Sequence, residues 1–284
     1  MGKRQPYPTD LTDEQWSRLE PLIPAPKPGG RPARYLRREI VNAVVYQLRG
    51  GAAWRMLPHD LPPWGITYHY WRIWRKDDTW ERVHDALRAE VRQAAGREPT
   101  PSAAIIDSQS VKTTDCGGEH GYDAGKKING RKRHVLVDTL GLVWLVVVTA
   151  AATQDRDGAK LLLAVLATKM RRLRVIWADG GYAGKLVDWV WGLRKWGKVR
   201  LELVSRSAKG KGFQRLPHRW IVERSFGWLN RWRRLSKDYE HLMPTSECTI
   251  RVVMIYLMVR RLAPSAKRYR RERPPRRRRA KMAF

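Results

Sequence analysis

The sequence predicts an α/β fold, in which a helical N-terminal region precedes a mixed five-stranded sheet with helices. From residue 103 onward, the apolar runs follow the order strand, strand, strand, helix, strand, helix, strand, helix. Short connections favour antiparallel strand pairs and helical connections favour parallel ones, so the sheet should contain both. Before residue 98, apolar side chains instead recur every three or four positions, which is typical of amphipathic helices.

The helical region should begin and end its helices at recognisable signals. Thr12 and Gln15 have the spacing of a capping box, which predicts a helix start in "TDEQWSRLEPLIP". The second helix, "YLRREIVNAVVYQLRGG", should end at Gly50-Gly51. Two further helices are predicted in "ITYHYWRIWRKDDTW" and "ERVHDALRAEVRQAAG".

The order of elements here resembles a helix-turn-helix: the second helix is followed by the turn "LPHDLPPWG" and then by an aromatic, basic helix. This arrangement would direct Tyr68, Arg72 and Arg75 towards DNA from roughly one helix face. The alternative is a generic helical bundle, in which Tyr68, Trp71 and Trp74 belong only to the core.

The sheet region begins with a strand at Ala103–Asp107, followed by a Gly-rich basic loop. Two apolar runs separated by Leu140-Gly141 then predict a hairpin. The segments "LRVIWAD" and "RLELVSR" predict two more strands, and a helix precedes each of them. A long helix, "PHRWIVERSFGWLNRWRRLSKDYE", and an apolar helix, "ECTIRVVMIYLMVRRLAP", complete this region.

These patterns divide the chain into three parts. Residues 1–98 form a helical DNA-binding domain, residues 99–264 form the α/β domain, and residues 265–284 form a polybasic tail. The tail contains two prolines and cannot bury a core, so we expect it to be disordered.

The charge of the chain limits its partners. The formal net charge is +30 and the pI is about 10.9, and so large a positive charge indicates a polyanionic partner. Nucleic acid is the first candidate for this partner, and an anionic membrane is the second. No apolar run reaches the ~18–20 residues of a spanning helix, and the N-terminus lacks the apolar segment of a secretory signal. Cys116 and Cys248 are too few for a disulfide scaffold and lack zinc-site spacing, so we expect a reducing cytoplasm.

Three acidic residues are candidates for a shared site. One apolar run leads straight into Asp107, and another ends just before Asp179. Glu223 borders the apolar stripe of the long helix. Each has an ordinary explanation by itself, because Asp before Gly-Gly is a common turn and Glu223 could form a helical salt bridge with Arg219.

Together, the three acids predict a metal site for phosphoryl transfer. Acids from two neighbouring strands and from a helix packed on them can meet at one point on rigid elements. Mg²⁺ prefers oxygen ligands and keeps several waters, so it needs only one to three carboxylates. Two such ions can clamp an in-line phosphoryl displacement, and basic surroundings would hold the DNA backbone.

The local sequences resemble those of bacterial insertion-sequence transposases of family five, over roughly residues 7–262. The matching segments are "TDEQWSRLEPLIP", "IIDSQSVKTT", "GYDAGKKINGRKRHVLVDTLGL", "QDRDGA", "WADGGYAG" and "RWIVERSFGWLNRWRRLSKDYE". The resemblance implies an RNase H-like fold with a catalytic, metal-binding DDE triad of Asp107, Asp179 and Glu223. It implies Mg²⁺ as the cofactor, with Mn²⁺ as an alternative.

The same resemblance implies a reaction and its partners. The enzyme would cleave DNA at the ends of its element and transfer the freed 3′-hydroxyl into target DNA. The expected partners are double-stranded DNA, as terminal inverted repeats and target, and a second subunit in a DNA-bound homodimer. No membrane partner is expected, and the protein should associate with the nucleoid in the cytoplasm.

The helix around Glu223 departs from a related signature. Family-four transposases often carry Tyr-x2-Arg-x3-Glu-x6-Lys around the glutamate, and Arg219 and Glu223 fit it. Leu216 and Asn230 stand at the Tyr and Lys positions, and Arg231 could supply the charge of the missing lysine. The contacts of that Tyr and Lys with the transposon end are therefore not expected here.

Basic residues around these elements are the candidate DNA contacts. A cluster on the Gly-rich loop should contact the DNA backbone near the metal site, the alternative being a solvated basic loop. All the DNA-binding candidates are Tyr68, Arg72, Arg75, Lys112, Lys126, Lys127, Arg131, Lys132, Arg133, Arg219, Arg224 and Arg231.

Other polar residues near the site have simpler interpretations. Asp155 and Asp157 should belong to a turn and a helix cap, and Asp138 should be a hairpin residue. His134 and His218 are interpreted as core residues or phosphate contacts.

Two other functions are compatible with this sequence. A metal-dependent DNA nuclease on the same fold would only hydrolyse, so strand-transfer products would distinguish it. A non-catalytic helix-turn-helix DNA-binding protein would not need the three acids, and their presence argues against it.

Overall fold

The structure, a computed structural model, describes residues 4–26, 29, 33–115, 118–169, 172–192, 199–204 and 218–264. The polybasic tail with its predicted disorder, Leu216 and Cys116 lie outside these residues, as does the end of the helix predicted in "KLVDWVWGLRKWG".

The N-terminal region is helical, as predicted. Its helices are α1 (Asp13–Leu19), α2 (Arg37–Gly50), α3 (Trp64–Lys76) and α4 (Thr79–Ala94). The capping box is confirmed, because the Thr12 hydroxyl accepts from the Gln15 amide and the Thr12 amide donates to Oε1 of Gln15, each at 3.2 Å. Gly51 ends α2 in the left-handed region, at a φ of 74°, which glycine adopts without steric cost.

The sheet has mixed direction, as predicted, and carries one strand more than expected. Its strands are β1 (Ala103–Lys112), β2 (Gly121–Asp123), β3 (Ile128–Asp138), β4 (Val143–Ala150), β5 (Val175–Ala178) and β6 (Arg200–Leu203). The order is β4-β3-β1-β5-β6, with short β2 also paired to β3. Strands β1, β3 and β4 pair antiparallel, whereas β5 pairs parallel with β1 and β6.

The unpredicted strand β2 lies in the segment that the sequence indicated as a loop. Glycine content suggested irregular backbone, yet Gly121 pairs with Gly130 of β3. Gly130 also lies opposite Lys112 of β1, and a Cβ atom at Gly130 would come within 2.0 Å of the Val111 carbonyl oxygen. Glycine here therefore permits close strand pairing instead of preventing it.

Helices cover both faces of the sheet, in the arrangement of an RNase H-like fold. The remaining helices are α5 (Asp155–Lys169), α6 (Lys185–Gly192), α7 (Arg219–Asn230) and α8 (Met243–Leu262). Ile106 and Leu136 belong to the apolar cluster with α5 and α6, whereas Ile105 and Val135 belong to the cluster with α7 and α8. Alternating residues of each strand thus face opposite layers.

The helical region and one face of the sheet share a single hydrophobic cluster. Helix α8 packs against β4 and also against α1, α2 and α4. An ion pair between Arg92 of α4 and buried Asp138 adds a polar link between the two regions. The boundary between residues 98 and 99 stays a prediction, since apolar packing is continuous across it.

Helix α7 is shorter than predicted. The sequence indicated one helix through residue 240, but α7 ends at Asn230. The following segment buries Trp232 and Leu235 and then turns towards the sheet, where the Asp238 amide donates to the Lys112 carbonyl at 2.8 Å. The end of the helix at Asn230 therefore allows Trp232 and Leu235 to be buried and Asp238 to bond to β1.

Within the described ranges, no helix combines the length and apolar composition needed to cross a bilayer.

Candidate active site

Asp107 lies within a strand and not at its tip, so the predicted end of β1 is wrong. Strand β1 continues to Lys112 because β3 pairs with it along its whole length, with Asp107 opposite Val135. On the other edge, β5 pairs only with residues 103–105. Asp107 therefore lies just beyond the end of its parallel neighbour, where the sheet opens.

Asp179 directly follows β5, as the sequence indicated. Its Oδ1 atom accepts a hydrogen bond from the Gly181 amide at 2.9 Å, which is the ordinary turn contact of an Asp before Gly-Gly. Its Oδ2 atom lies 3.5 Å from Nη2 of Arg219, and Oδ2 of Asp107 lies 3.8 Å from the same nitrogen. The two aspartates thus converge on one cationic atom.

Arg219 is the first residue of α7, and its position is fixed locally. His218 precedes it in the left-handed region, at a φ of 66°, and stacks on Trp177 of β5 with ring centroids 3.9 Å apart. This stack ties the start of α7 to the strand that ends before Asp179. His218 is exposed and is therefore not a core residue, whereas its contact with a phosphate stays a prediction.

Glu223 lies one turn after Arg219 on α7 and is exposed. The ordinary explanation, a helical salt bridge between these two residues, is not found in the described structure, where Arg219 pairs with the aspartates. Across the described part of the chain, no three His, Cys, Asp or Glu side chains lie close enough together to hold a metal ion. Convergence of all three acids therefore stays a prediction.

The Asp107 carboxylate is costly to ionise in this position. Burial raises its pKa to about 6, and the nearby charge of Asp179 contributes to that rise. A hydrogen bond from the Ser108 amide at 2.7 Å and the charge of Arg219 act in the opposite direction. Two buried or half-buried carboxylates around one cation fit the oxygen donors that a divalent ion requires.

A polar network supports this strand from the opposite face of the sheet. Ser108 donates to Oδ1 of Asp155 at 2.7 Å, and Ser110 donates to Oδ2 of Asp123 at 2.6 Å. The Lys132 ammonium joins the two carboxylates, at 3.1 Å from Asp155 and 3.4 Å from Asp123. The sequence reasoning missed this network, although alternate serines in "DSQSVK" were its signal.

Comparisons with known proteins agree with this geometry. A family model described as "Transposase DDE domain" matches residues 98–258, and one described as "Putative transposase of IS4/5 family" matches residues 11–84. The chain belongs to the IS4/5-type DDE transposases. A similar protein is the "Insertion element IS402 uncharacterized 16.2 kDa protein" of Burkholderia cepacia, 32% identical over 117 residues, covering 39% of this chain and 78% of that protein.

Membership establishes the class of reaction. The transposase is a polynucleotidyl transferase whose DDE domain depends on a metal ion and acts on DNA. The alternatives of a purely hydrolytic nuclease and of a non-catalytic DNA-binding protein are not favoured.

The transposase buries three of the predicted DNA contacts, so their placement on a basic loop is wrong. Arg131, Lys132 and Arg133 lie in β3 and are almost inaccessible to solvent. Arg131 donates to three backbone carbonyls and pairs with Asp238, while Arg133 donates to the carbonyls of residues 235 and 237. Both side chains are buried and bond to acceptors from distant segments, so they cannot reach a DNA phosphate.

The other basic candidates on the sheet domain lie at the surface. Lys112, Lys126, Lys127 and Arg231 are exposed, and Arg224 is half-buried. The charge of Lys126 lowers the pKa of Asp107. These residues remain candidate DNA contacts.

The two helices of the predicted helix-turn-helix are present, but the short turn predicted between them is wrong. Helices α2 and α3 are separated by residues 51–63, which is longer than the short turn of that motif. Trp71 and Trp74 are core residues, whereas Tyr68 is 41% exposed and Arg72 is exposed on the same helix. Helix α3 therefore presents an aromatic and basic outer face beside a tryptophan core.

The predictions for the other polar residues near the site had different outcomes. Helix α5 begins at Asp155, as the turn-and-cap interpretation indicates, but this carboxylate also joins the network behind Asp107. Asp157 is exposed and pairs with Lys160. Asp138 is a hairpin residue that accepts from the amides of residues 140 and 142, and His134 is buried in the core.

Replacing the bridging lysine tests the network. We expect Lys132→Met to lower the free energy of unfolding by about 1–3 kcal/mol, because Asp123 and Asp155 lose a charged donor. Urea unfolding followed by circular dichroism measures it. The matched control is Lys160→Met, whose exposed pair with Asp157 should contribute less than ~1 kcal/mol. Equal losses in the two variants would contradict the bridging role.

Proposed function

We propose that the transposase cleaves DNA at the ends of its own insertion sequence and joins the freed 3′-hydroxyl to target DNA. Asp107, Asp179 and Glu223 are the catalytic acids in this proposal, with Mg²⁺ as the ion and Mn²⁺ as an alternative. The observation that supports it best is the convergence of Asp107 and Asp179 on one cationic nitrogen, at 3.8 and 3.5 Å.

The chain's own residues have distinct tasks in this proposal. Asp107, within β1, and Asp179, directly after β5, would hold the metal, and Glu223 would complete the site from the exposed face of α7. A bound divalent ion would activate the attacking hydroxyl and stabilise the leaving oxygen. Arg219, which lies beside both aspartates, would be a bidentate donor to the scissile phosphate.

Incubation of the purified protein with a labelled element end, a target duplex and Mg²⁺ tests the proposal. We expect nicked ends and joined products. Nicked ends without joined products would favour the nuclease, whereas neither product would contradict the assignment of the substrate. The proposal includes a DNA-bound homodimer that brings two ends together, in the cytoplasm at the nucleoid.

End recognition is assigned to the outer face of α3, because Tyr68, Arg72 and Arg75 occupy positions i, i+4 and i+7 and Arg72 is exposed. Deleting the helical region would open the shared core, so single substitutions are the appropriate test.

We expect Arg72→Gln to weaken binding to the element's end by roughly 1–3 kcal/mol if Arg72 contacts a base, with less effect on unrelated DNA. Gel-shift titrations with both duplexes measure the ratio. Arg18→Gln is the matched control, since Arg18 is an exposed helical arginine whose weak pair with Glu90 spans 3.9 Å. Equal losses on both duplexes would reduce Arg72 to a backbone contact.

A further inference from the structure

Two arginines and two tryptophans alternate along one side of α7 and the end of α8. Trp220, Arg224 and Trp228 occupy successive turns of α7, and Arg261 comes from α8. The Arg224 guanidinium carbon lies 4.7 Å from the Trp220 ring centroid and 4.8 Å from that of Trp228. Arg261 lies 4.5 Å from the Trp228 centroid. Stacking on rigid rings restricts both guanidinium groups and leaves their edges available for hydrogen bonds.

This stack borders a surface pocket of about 420 Å³. We call it the arginine pocket, and its remaining lining comes from the end of α4, the β3–β4 hairpin and the end of α8. The pocket is distinct from the candidate active site, because its lining includes neither Asp107 nor Asp179.

The arginine pocket carries uncompensated positive charge. Within the part of the chain that the structure describes, neither Arg224 nor Arg261 forms an ion pair with a carboxylate. The charge of Asp138 raises the pKa of both arginines, but this carboxylate already pairs with Arg92. Partial removal from water lowers the pKa of both arginines, although Arg261 keeps an exposed surface, and the charge of Arg224 lowers the pKa of Arg261 further.

Arg224 also has unused hydrogen-bonding capacity. Its Nη2 atom donates to the Leu140 carbonyl at 3.1 Å, whereas Nε is buried and has no partner among the described atoms. Two guanidinium groups held near each other in this way are stabilised by an anion that accepts from both.

We propose that the arginine pocket binds a phosphate of the DNA backbone, at a site distinct from the catalytic acids. This inference rests on the proposed function, which brings DNA to α7. A phosphate is favoured over a carboxylate of a second copy because the chain has 57 Lys and Arg but only 27 Asp and Glu. Leu262 lines the pocket, and shortly after it in sequence come residues 265–284, which are rich in arginine.

Arg261→Gln is the test, because Arg261 is exposed near the end of α8 and its loss leaves the core intact. Arg260→Gln is the matched control, as the neighbouring exposed arginine of the same helix with the same change of charge. Binding of a duplex of roughly 30 base pairs is followed by fluorescence anisotropy over a range of salt concentrations, without divalent ions, so the readout does not depend on catalysis.

We expect Arg261→Gln to reduce the slope of log K against log salt by about 0.9, which is one phosphate contact, and to weaken binding roughly eightfold at ~0.1 M salt. Arg260→Gln should produce a clearly smaller change in both quantities. Melting temperatures of the two variants verify that both remain folded.

An unchanged slope for Arg261→Gln, or equal changes for both variants, would overturn the proposal and leave a general basic surface. If Arg261→Gln leaves the slope unchanged but alters the oligomeric state of the protein without DNA, the pocket would instead bind a carboxylate of a second copy. Failure of strand transfer by the unmodified protein, with the expected slopes retained, would contradict the proposed reaction and leave the phosphate site supported.

Discussion

Asp107→Asn is expected to abolish both cleavage and joining, with a loss of at least ~10³-fold in rate, or about 4 kcal/mol of transition-state stabilisation. The change removes one negative charge from the proposed metal site and keeps the size of the side chain. The same result is expected for Asp179→Asn and Glu223→Gln. A radiolabelled element end, incubated with Mg²⁺ and resolved on a denaturing gel, measures nicking, and a target duplex adds the joining step.

The fold should survive the change at Asp107. Burial raises the pKa of this carboxyl to about 6, so its ionisation costs more in the folded protein than in water, and the neutral amide removes that cost. DNA binding should persist or tighten, because a negative charge near the phosphates is gone. Asp157→Asn is the matched control, since Asp157 is exposed, pairs only with Lys160 among described residues and should leave both steps unchanged.

Glu223→Gln is the most informative of the three variants. Glu223 is exposed and has no ion pair with Arg219 in the described structure, so it contributes little to stability there. A loss of activity would therefore report a role in chemistry. Near-normal nicking by this variant would remove Glu223 from the proposed triad and leave a site of two aspartates.

Arg131→Met is expected to lower the free energy of unfolding by about 3–5 kcal/mol, because it leaves the Asp238 carboxylate buried and unpaired. Both side chains are almost completely buried, at 0% and 1% exposure, with Nη1 3.3 Å from Oδ1 of Asp238. Arg131 also donates to the carbonyls of residues 119, 240 and 241, which lose their donor in the variant.

Denaturant unfolding with tryptophan fluorescence measures this loss. The matched control is Arg200→Met, because Arg200 is exposed on β6 and lies 3.6 Å from Glu202. That change should alter stability by less than ~1 kcal/mol. A loss below 1 kcal/mol for Arg131→Met, accompanied by weaker DNA binding, would restore Arg131 as a DNA contact.

Local sequence determined the order of elements and some of their ends. The capping box at Thr12 and Gln15 depends on residues three positions apart, and the structure contains it. The turn at Leu140-Gly141 depends on glycine, which adopts a φ of 79° there. The Asp179 turn after β5 likewise needs only its neighbours. Helix caps and turns of this kind can be predicted from sequence, because the residues that form them are neighbours in the chain.

The sequence also indicated the transposase family before the fold was known. The resemblance of the local sequences, including those around Asp107, Asp179 and Glu223, carried that inference, and matched family models confirmed it. Which acid meets which cation could not be predicted, because Arg219 lies four residues from Glu223 but pairs with Asp107 and Asp179.

Tertiary structure alone decided how far β1 extends and where the basic residues of β3 point. Asp107 lies inside β1 because β3 pairs along the whole strand while β5 stops early, and strand pairing is a non-local choice. The run Arg131–Arg133 resembles a solvated loop in sequence, yet it is buried because its acceptors, including Asp238, come from distant segments. The sequence shows which residues are charged, but only the folded structure determines whether a protein group or water compensates each charge.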